Sequence, residues 1–285
     1  MSSESNSSVT SSPGARPAGT STPADAAQNI QAMFDTIAPT YDRANHLLSA
    51  GIDRSWWNRT ARTLRPILQR PEAIVLDLCC GTGDMTLALD RHRPYPAGAR
   101  LNAAAAETVA ISSSWEESRI SASPAKAAPI LAVDFSHNML TLALPKFVGR
   151  NIIPIEADAL HLPLADASVD LVTSAFGFRN LADYPAGLAE LHRVLRPGGE
   201  IAILECNQPG GLTGLLYSFY FHRILPRLGG LISGKRRAYA YLPASVLKFP
   251  RPPEMKAMIA AAGFTNPTWT SYTLGTAGLY RATKP

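Results

Sequence analysis

Three acidic residues, Asp77, Asp134 and Asp158, each stand within or just past a short apolar run, and a glycine turn follows the first. The stretch Val75-Leu76-Asp77-Leu78-Cys79-Cys80-Gly81-Thr82-Gly83-Asp84 reads as a strand, a tight turn and a helix start. Glycines at such a turn let the backbone approach a ligand closely, while the first amides of the helix point into the gap. The carboxylate of Asp134 could accept both hydroxyls of a ribose, and that of Asp158, followed by Ala159, could accept from an adenine amino group. A lone acid at a strand end is usually just solvated. Three such ends in one sheet shift that balance toward function. A fourth run leads into Ser174-Ala175-Phe176-Gly177-Phe178-Arg179-Asn180, which brings a cation and an amide to that edge.

The glycine turn excludes two common ligands. A dinucleotide fingerprint needs a third glycine where Thr86 stands, and the Gly-Lys-Ser/Thr ending of a phosphate loop is absent. What remains is an acidic-x-small-x-Gly-x-Gly pattern of Asp77, Cys79, Gly81 and Gly83. It resembles the first motif of class I S-adenosylmethionine-dependent methyltransferases. An ordinary strand-to-helix turn has the same appearance, so the rest of the chain must decide.

Short apolar runs alternating with helical patterns signal a parallel sheet. Strands are expected at Ile74 to Leu78, Ile130 to Asp134, Ile152 to Glu156, Leu171 to Phe176 and Glu200 to Glu205. A helix over Tyr184 to Leu195 presents Leu188, Leu191 and Leu195 on one face and stops at Arg196-Pro197-Gly198-Gly199. The C-terminal part predicts a helix over Pro253 to Ala262 and strands at Thr268 to Tyr272 and Ala277 to Ala282. Ahead of the sheet, an N-terminal helical cap (about 28–70) is expected. Its first helix, Ile30 to Ile37, should be broken by Ala38-Pro39, with further helices at Asn45 to Ser49 and Ser55 to Leu64.

One spacing is anomalous. The acid on the second strand ordinarily follows the glycine turn by about 20 residues, whereas Asp134 lies far beyond Gly83. The Ala/Ser-rich stretch from Pro96 to Pro129 lacks sustained periodicity, apart from a candidate helix at Asn102 to Val109, and reads as an inserted surface loop.

Composition excludes other classes. Among 285 residues, 46% are hydrophobic and 8% aromatic, which suits a globular core, and the net charge is +5. The densest basic cluster, Lys235-Arg236-Arg237, is too short for a nucleic-acid interface, so no nucleic-acid partner is expected. Three cysteines, Cys79, Cys80 and Cys206, form neither a disulfide framework nor a zinc or redox spacing. No metal is expected, and a reducing, cytoplasmic setting is. No run of 18 or more apolar residues could span a bilayer, and no secretory signal pattern opens the chain. Residues 1–27 are rich in Ser, Ala, Thr and Pro and read as a disordered tail ahead of a single domain over 28–285.

A long ordered match then becomes specific. Phe34-Asp35 through Tyr41-Asp42, Asn45, Gly51 and Trp56 is similar to the N-terminal signature of the ubiquinone and menaquinone biosynthesis C-methyltransferase family. The glycine turn, Phe176-Gly177-Phe178-Arg179-Asn180, and Glu190 through Gly199 continue the resemblance, as do Tyr217 to Pro226, Tyr239 to Pro250 and Ala262-Gly263-Phe264. The resemblance implies an α/β fold of the class I, Rossmann-like kind: a mostly parallel seven-stranded sheet with helices on both faces. It implies S-adenosylmethionine as co-substrate and a polyprenylated quinol as the molecule methylated on carbon.

Cofactor contacts implied by the resemblance fall on Thr82, Asp134, Asp158 and Ala159, beside Asp77, Gly81 and Gly83 of the turn. The family often has Ser immediately before Phe-Gly, where this chain has Ala175. Ser174 is the nearest substitute, although adjacent strand residues face opposite ways. Arg179 and Asn180 are the first catalytic candidates. Arginine is too basic to be an easy proton acceptor and could stabilise a phenolate by charge, while asparagine could orient water or the quinol. Tyr41 and Asp42 could reach the pocket from the cap, with Asp42 as a base if desolvated. His222 among aromatics reads as a packing residue.

The apolar segment Leu212 to Ile232, bordered by Arg223, Arg227 and Lys235 to Arg237, could serve a prenyl tail or touch anionic lipid on the inner face of the membrane. A homodimer is compatible with the sequence. The expected reaction takes demethylmenaquinol to menaquinol. Alternatives are the ubiquinone precursor 2-methoxy-6-polyprenyl-benzoquinol, another small molecule on the same sheet, RNA, or a cofactor-binding subunit without turnover.

Overall fold

Apolar stretches too short for helices and rich in Val, Ile and Leu become strands buried on both faces when helices cover the sheet. That is the fate of Val75–Leu78 (β1), Ile130–Asp134 (β2), Ile152–Glu156 (β3) and Val169–Ala175 (β4). A computed structural model of the chain describes residues 13–15, 17, 19–49, 51–94, 127–211, 214–215, 219, 223, 241 and 244–285. Leu195–Cys206 (β5), Thr265–Tyr272 (β6) and Ala277–Thr283 (β7) complete a seven-stranded sheet of order β3-β2-β1-β4-β5-β7-β6. The first five strands run parallel, and β7 pairs antiparallel with both β5 and β6.

The strand pleat divides the core. Leu76, Leu78, Leu131, Val133, Val172 and Ile203 face one side, under Leu188 and Leu191 of α6 (Tyr184–Val194) and Met255 and Ile259 of α7 (Pro252–Ala261). Val75, Ile130, Ala132, Leu171 and Leu204 face the other. There they meet Ala61 of α2 (Ile52–Thr63), Leu68 of α3 (Arg65–Leu68), Leu89 of α4 (Asp84–Asp90) and Leu140 of α5 (His137–Phe147). Helices therefore cover both faces, as expected. Strand limits agree with expectation to within a few residues except in β5, which begins at Leu195 inside the expected stop signal. Its pairing with β4 jumps from Val169–Leu195 to Leu171–Glu200, and Gly198 takes up the extra chain at φ 78°.

The N-terminal region departs further. Helix α1 spans Pro23–Leu48 in one piece, running through Ala38-Pro39, where a break was expected. Pro39 cannot donate to the Asp35 carbonyl. Asn138 Nδ2 from α5 supplies the missing donor at 3.3 Å, so the lost bond is replaced from outside the helix. The helix also starts before residue 28. The Thr22 amide donates to the Asp25 carboxylate and the Asp25 amide to the Thr22 hydroxyl, a capping box that opens α1 ahead of Pro23. Ala26 and Ile30 are buried. The expected tail thus overlaps a helix whose small buried residues gave no apolar signal.

The expected insert lies almost wholly outside the described residues, as does its candidate helix at Asn102 to Val109. At its end, Ala127 is buried and the Ala128 amide donates to the Pro71 carbonyl at 2.6 Å. Most of Leu212 to Ile232, His222 and Lys235 to Arg237 also lie outside the described residues.

Candidate active site

Because β1 lies between β2 and β4, the connections leaving these strands diverge, and a crevice must open at their C-terminal ends. A cleft sits there. Leu78 and Cys79 of the β1 end, Val133 to Phe135 of β2, Ala157 to Leu160 beyond β3, and Gly177 with Asn180 to Ala182 beyond β4 line it, and Ala27 of α1 adds to the wall. The space between these walls, with the open solvent at the mouth included, is about 470 Å³.

The turn after β1 is wound through left-handed backbone at Cys79 (φ 54°), Gly81 (56°) and Gly83 (87°). Open space surrounds the position where a Gly81 Cβ would be, which leaves room for a ligand against the main chain. A Cβ on Gly83 would instead strike the Phe147 ring, so Gly83 serves helix packing. Phe176, at the end of β4, is left-handed as well (φ 60°). A Cβ on the next residue, Gly177, would lie 2.2 Å from the Cys79 Cβ. The two loops that flank the cleft are therefore locked together by side-chain packing, with strain stored in both.

Asp134 is 6% exposed and ties the turn to β2. Its Oδ2 accepts the Gly81 amide at 2.8 Å and its Oδ1 the Ser136 amide at 2.9 Å. Burial pushes its pKa up to about 6, opposed by the amides of Ser136, Gly81 and Phe135. A carboxylate has about four lone-pair sites, so both oxygens keep capacity for hydroxyl donors. Asp158 is exposed and braces its own turn through the Leu160 amide at 2.9 Å, with Ala159 buried beside it on the cleft wall.

Asp77 corrects an expectation. It is fully buried below the turn, and its oxygens accept from Thr86 Oγ1 (2.6 Å) and Thr173 Oγ1 (2.7 Å). Burial also raises its pKa to about 6. It fastens β1 to α4 and β4 and does not line the cleft. Ser174 is likewise buried and off the lining, with no hydrogen-bond partner for its hydroxyl among the described residues. Gly81 and Thr82 stand beside the cleft rather than on it.

Asp42 is a second correction. Its carboxylate accepts the Thr82 hydroxyl at 2.5 Å and pairs with Lys146 at 2.8 Å; Lys146 also reaches Asp84 at 3.2 Å. Burial would discharge Lys146, but the two carboxylates outweigh it and raise its pKa. Asp42 is thus an anchor of α1 on the glycine turn, without the free, desolvated geometry of a base. Gln31 donates to the Phe135 carbonyl (2.7 Å) and Ser136 to Asp35 (2.5 Å), fixing the same helix over the β2 end. Tyr41 packs edge-on against Phe34 and lies within electrostatic range of Arg179.

Arg179 sits in a 3-10 turn, Phe178–Asn180, and is 5% exposed. Its Nη1 pairs with Glu205 Oε2 at 2.9 Å and donates to the Phe176 carbonyl, while its amide binds Glu205 Oε1 at 2.9 Å. Burial disfavours the charge, yet the fully buried Glu205 carboxylate prevails and the guanidinium stays protonated. That excludes proton acceptance by Arg179. Asn180 lines the cleft and accepts the Tyr241 hydroxyl at 3.2 Å, and burial raises the Tyr241 pKa to about 12, keeping it a donor. Glu205 and Tyr241 escaped the sequence reading. Glu205 is an acid closing a strand, the same signal that exposed Asp134; Tyr241 carries no local signal.

Among the described residues, no group of three or more His, Cys, Asp or Glu side chains could hold a metal, and no helix is long and apolar enough to cross a membrane.

The sequence model of the ubiE/COQ5 methyltransferase family matches residues 23–284. A demethylmenaquinone methyltransferase of Deinococcus radiodurans is 40% identical over 260 residues, covering 90% of this chain and 92% of that protein. The enzyme of the same name from Thermus thermophilus is 41% identical, covering 89% of this chain and 100% of that protein. A ubiquinone/menaquinone biosynthesis C-methyltransferase of Geotalea daltonii is 38% identical across 90% of this chain and 97% of its own length. Among solved structures, a SAM-dependent methyltransferase of Thermotoga maritima superposes with a TM-score of 0.53 at 16% identity, over 89% of this chain and 98% of that one. At that identity the likeness concerns the fold, which is the class I methyltransferase fold.

Proposed function

The chain belongs to the ubiE/COQ5 methyltransferase family, and from that premise we infer that it is an S-adenosylmethionine-dependent C-methyltransferase of quinone biosynthesis. Its substrate is a polyprenylated quinol, demethylmenaquinol in the first instance, because the relatives at 40% and 41% identity carry that activity in their names. The observation that carries this reading is a single cleft lined by both Asp134 and Asn180, one suited to a ribose and the other to a phenolic oxygen.

The cleft suits the cofactor on its own chemistry. Asp134 retains acceptor sites for two ribose hydroxyls. Asp158 to Leu160 and Leu181 to Ala182 offer mostly apolar walls with one carboxylate for the base, and the Gly81 backbone is accessible. When bound, S-adenosylmethionine supplies a methyl group made electrophilic by its sulfonium.

The chain's own residues must then orient a ring carbon toward that methyl at about 3 to 3.5 Å and exclude competing water. An aromatic carbon is a weak nucleophile until a neighbouring hydroxyl gives up its proton. Asn180 can hold that oxygen, since Tyr241 occupies its carbonyl and leaves amide hydrogens to donate. Arg179, fixed by Glu205, provides a permanent positive charge one residue away, which favours the phenolate. Water takes the phenolic proton, and after methyl transfer the methylated ring carbon loses its own hydrogen as a proton while the oxygen is reprotonated, which restores the aromatic quinol with one proton released overall.

A prenyl chain lives in a bilayer, so the enzyme must meet one. Leu215 and Phe219, four apart in sequence, are 69% and 60% exposed, and Arg223 follows four residues on and is exposed as well. This supports peripheral contact with the inner face of the membrane, and failure to float with anionic vesicles would refute it. The function is tested by incubating the purified protein with methyl-labelled cofactor and either reduced demethylmenaquinone or the reduced ubiquinone precursor. Label in the naphthoquinol is expected; label in the benzoquinol alone would move the enzyme to the other branch, and label in neither would refute methyl transfer to quinols.

A further inference from the structure

The family match begins at residue 23, yet residues before it are built into the cleft wall. The Tyr184 amide donates to the Pro13 carbonyl at 2.8 Å, and the Ala15 amide donates to the Leu181 carbonyl at 2.8 Å. These two bonds bracket Leu181 to Asp183, and Leu181 and Ala182 line the cleft. Between them the chain passes so close that a Cβ on Gly14 would lie 2.0 Å from the Ala182 carbonyl oxygen and 2.9 Å from the Asp183 amide nitrogen. Contact at that range is with backbone, which cannot swing aside as a side chain would. Glycine is required here for space. Ala15, next in line, is 4% exposed.

Described residues nearer α1 also reach the cleft. Thr20 turns back on the Pro17 carbonyl through its hydroxyl at 2.8 Å, and the Thr22–Asp25 box starts α1. Ala26 is fully buried and Ala27 lines the same cleft. Residues near both ends of the stretch from Pro13 to Ala27 therefore belong to the site, one by bonding its wall and the other by forming it.

We infer that Pro13, Gly14 and Ala15 are positioning residues of the cofactor site: a main-chain clasp that holds the Leu181–Ala182 wall against the nucleoside and slows its release. The inference rests on the cleft being the S-adenosylmethionine site. Holding a loop in its bound arrangement before the ligand arrives raises affinity without adding a contact. The clasp bonds Leu181 and Tyr184 and makes no bond to the Arg179 or Asn180 side chains, although the Tyr184 hydroxyl donates to the Arg179 carbonyl at 2.9 Å, so its loss should appear chiefly in cofactor affinity and only weakly in the chemical step.

The test compares the full chain with Gly14→Val, which forces the segment off Ala182, and Ala15→Pro, which deletes the donor to Leu181. S-adenosylhomocysteine affinity and release rate are measured together with cofactor KM, kcat and thermal midpoint. Each variant should weaken binding roughly tenfold, mainly through faster release, with kcat at saturating cofactor within about twofold. A merely structural role would lower the midpoint and kcat while leaving the affinity of the folded fraction unchanged. Unchanged affinity and release rate in whichever variant folds would overturn the clasp. Asp134→Ala in the same titration separates the two readings. If it weakens binding and the clasp variants do not, the clasp alone falls; if it too has no effect, the cleft assignment falls with it.

Discussion

Affinity for the cofactor should depend on pH through a single carboxylate. Asp134 is moved from the ordinary 3.8 to about 6 by burial, which corresponds to about 3 kcal/mol against its charged form. Ribose hydroxyls need acceptors, and protonating Asp134 removes one while the Gly81 and Ser136 amides still demand theirs. Binding therefore favours the ionised site, and affinity must fall as pH drops through about 6. With one proton to displace, the dissociation constant for S-adenosylhomocysteine should rise about tenfold from pH 7 to pH 5. Asp134→Asn should bind ten- to a hundredfold more weakly at pH 7, from the loss of charge-assisted bonds worth about 1.5 to 3 kcal/mol. It should also lose most of the pH dependence. Asp77 titrates in the same range, but both its oxygens are held by threonine hydroxyls outside the cleft lining. Isothermal titration at the two pH values reads both quantities. Equal wild-type affinities, or an undiminished pH dependence in Asp134→Asn, would refute the reasoning.

Other perturbations address the packing and the quinol end. Glu205→Ala strands the Arg179 charge in a buried site, and urea denaturation should show a loss of about 3 to 5 kcal/mol; a loss under 1 kcal/mol would mean that the pair is solvated. Gly177→Ala places a methyl against Cys79 and should cost about 1 to 3 kcal/mol by the same measurement. Cys79→Gly removes both the obstacle and a left-handed non-glycine residue, so the double variant should recover most of that loss, and strict additivity would contradict the locked loops. Tyr241→Phe frees the Asn180 carbonyl and should lower kcat several-fold, by about 1 kcal/mol of barrier, with cofactor affinity unchanged in a steady-state and binding comparison. Normal turnover would remove Tyr241 from the site.

The parallel sheet was legible because its strands are continuous apolar runs closed by glycines, prolines or acids, signals that depend on local sequence alone. The same locality placed Asp134, Asp158 and Asn180 on one edge. It failed where a distant group decides the outcome. Pro39 reads as a helix breaker until Asn138, far along the chain, takes up the freed Asp35 carbonyl. Asp42 reads as a candidate base until Lys146 and Thr82 fold onto it. Asp77 looks like a ligand contact because it precedes the glycines, yet strand alternation points it at Thr86 and Thr173. The Pro13 to Ala15 segment has too few apolar atoms to announce itself, and its attachment is made by main-chain bonds that no side-chain pattern encodes.

The most direct test is a crystal structure of the full chain with S-adenosylhomocysteine. The account predicts both ribose hydroxyls on the Asp134 carboxylate, the base enclosed by Asp158 to Leu160 and Leu181 to Ala182, and the sulfur directed toward Gly177 and Asn180. A nucleoside bound away from the β1 and β2 ends, or a ribose that leaves Asp134 untouched, would contradict it.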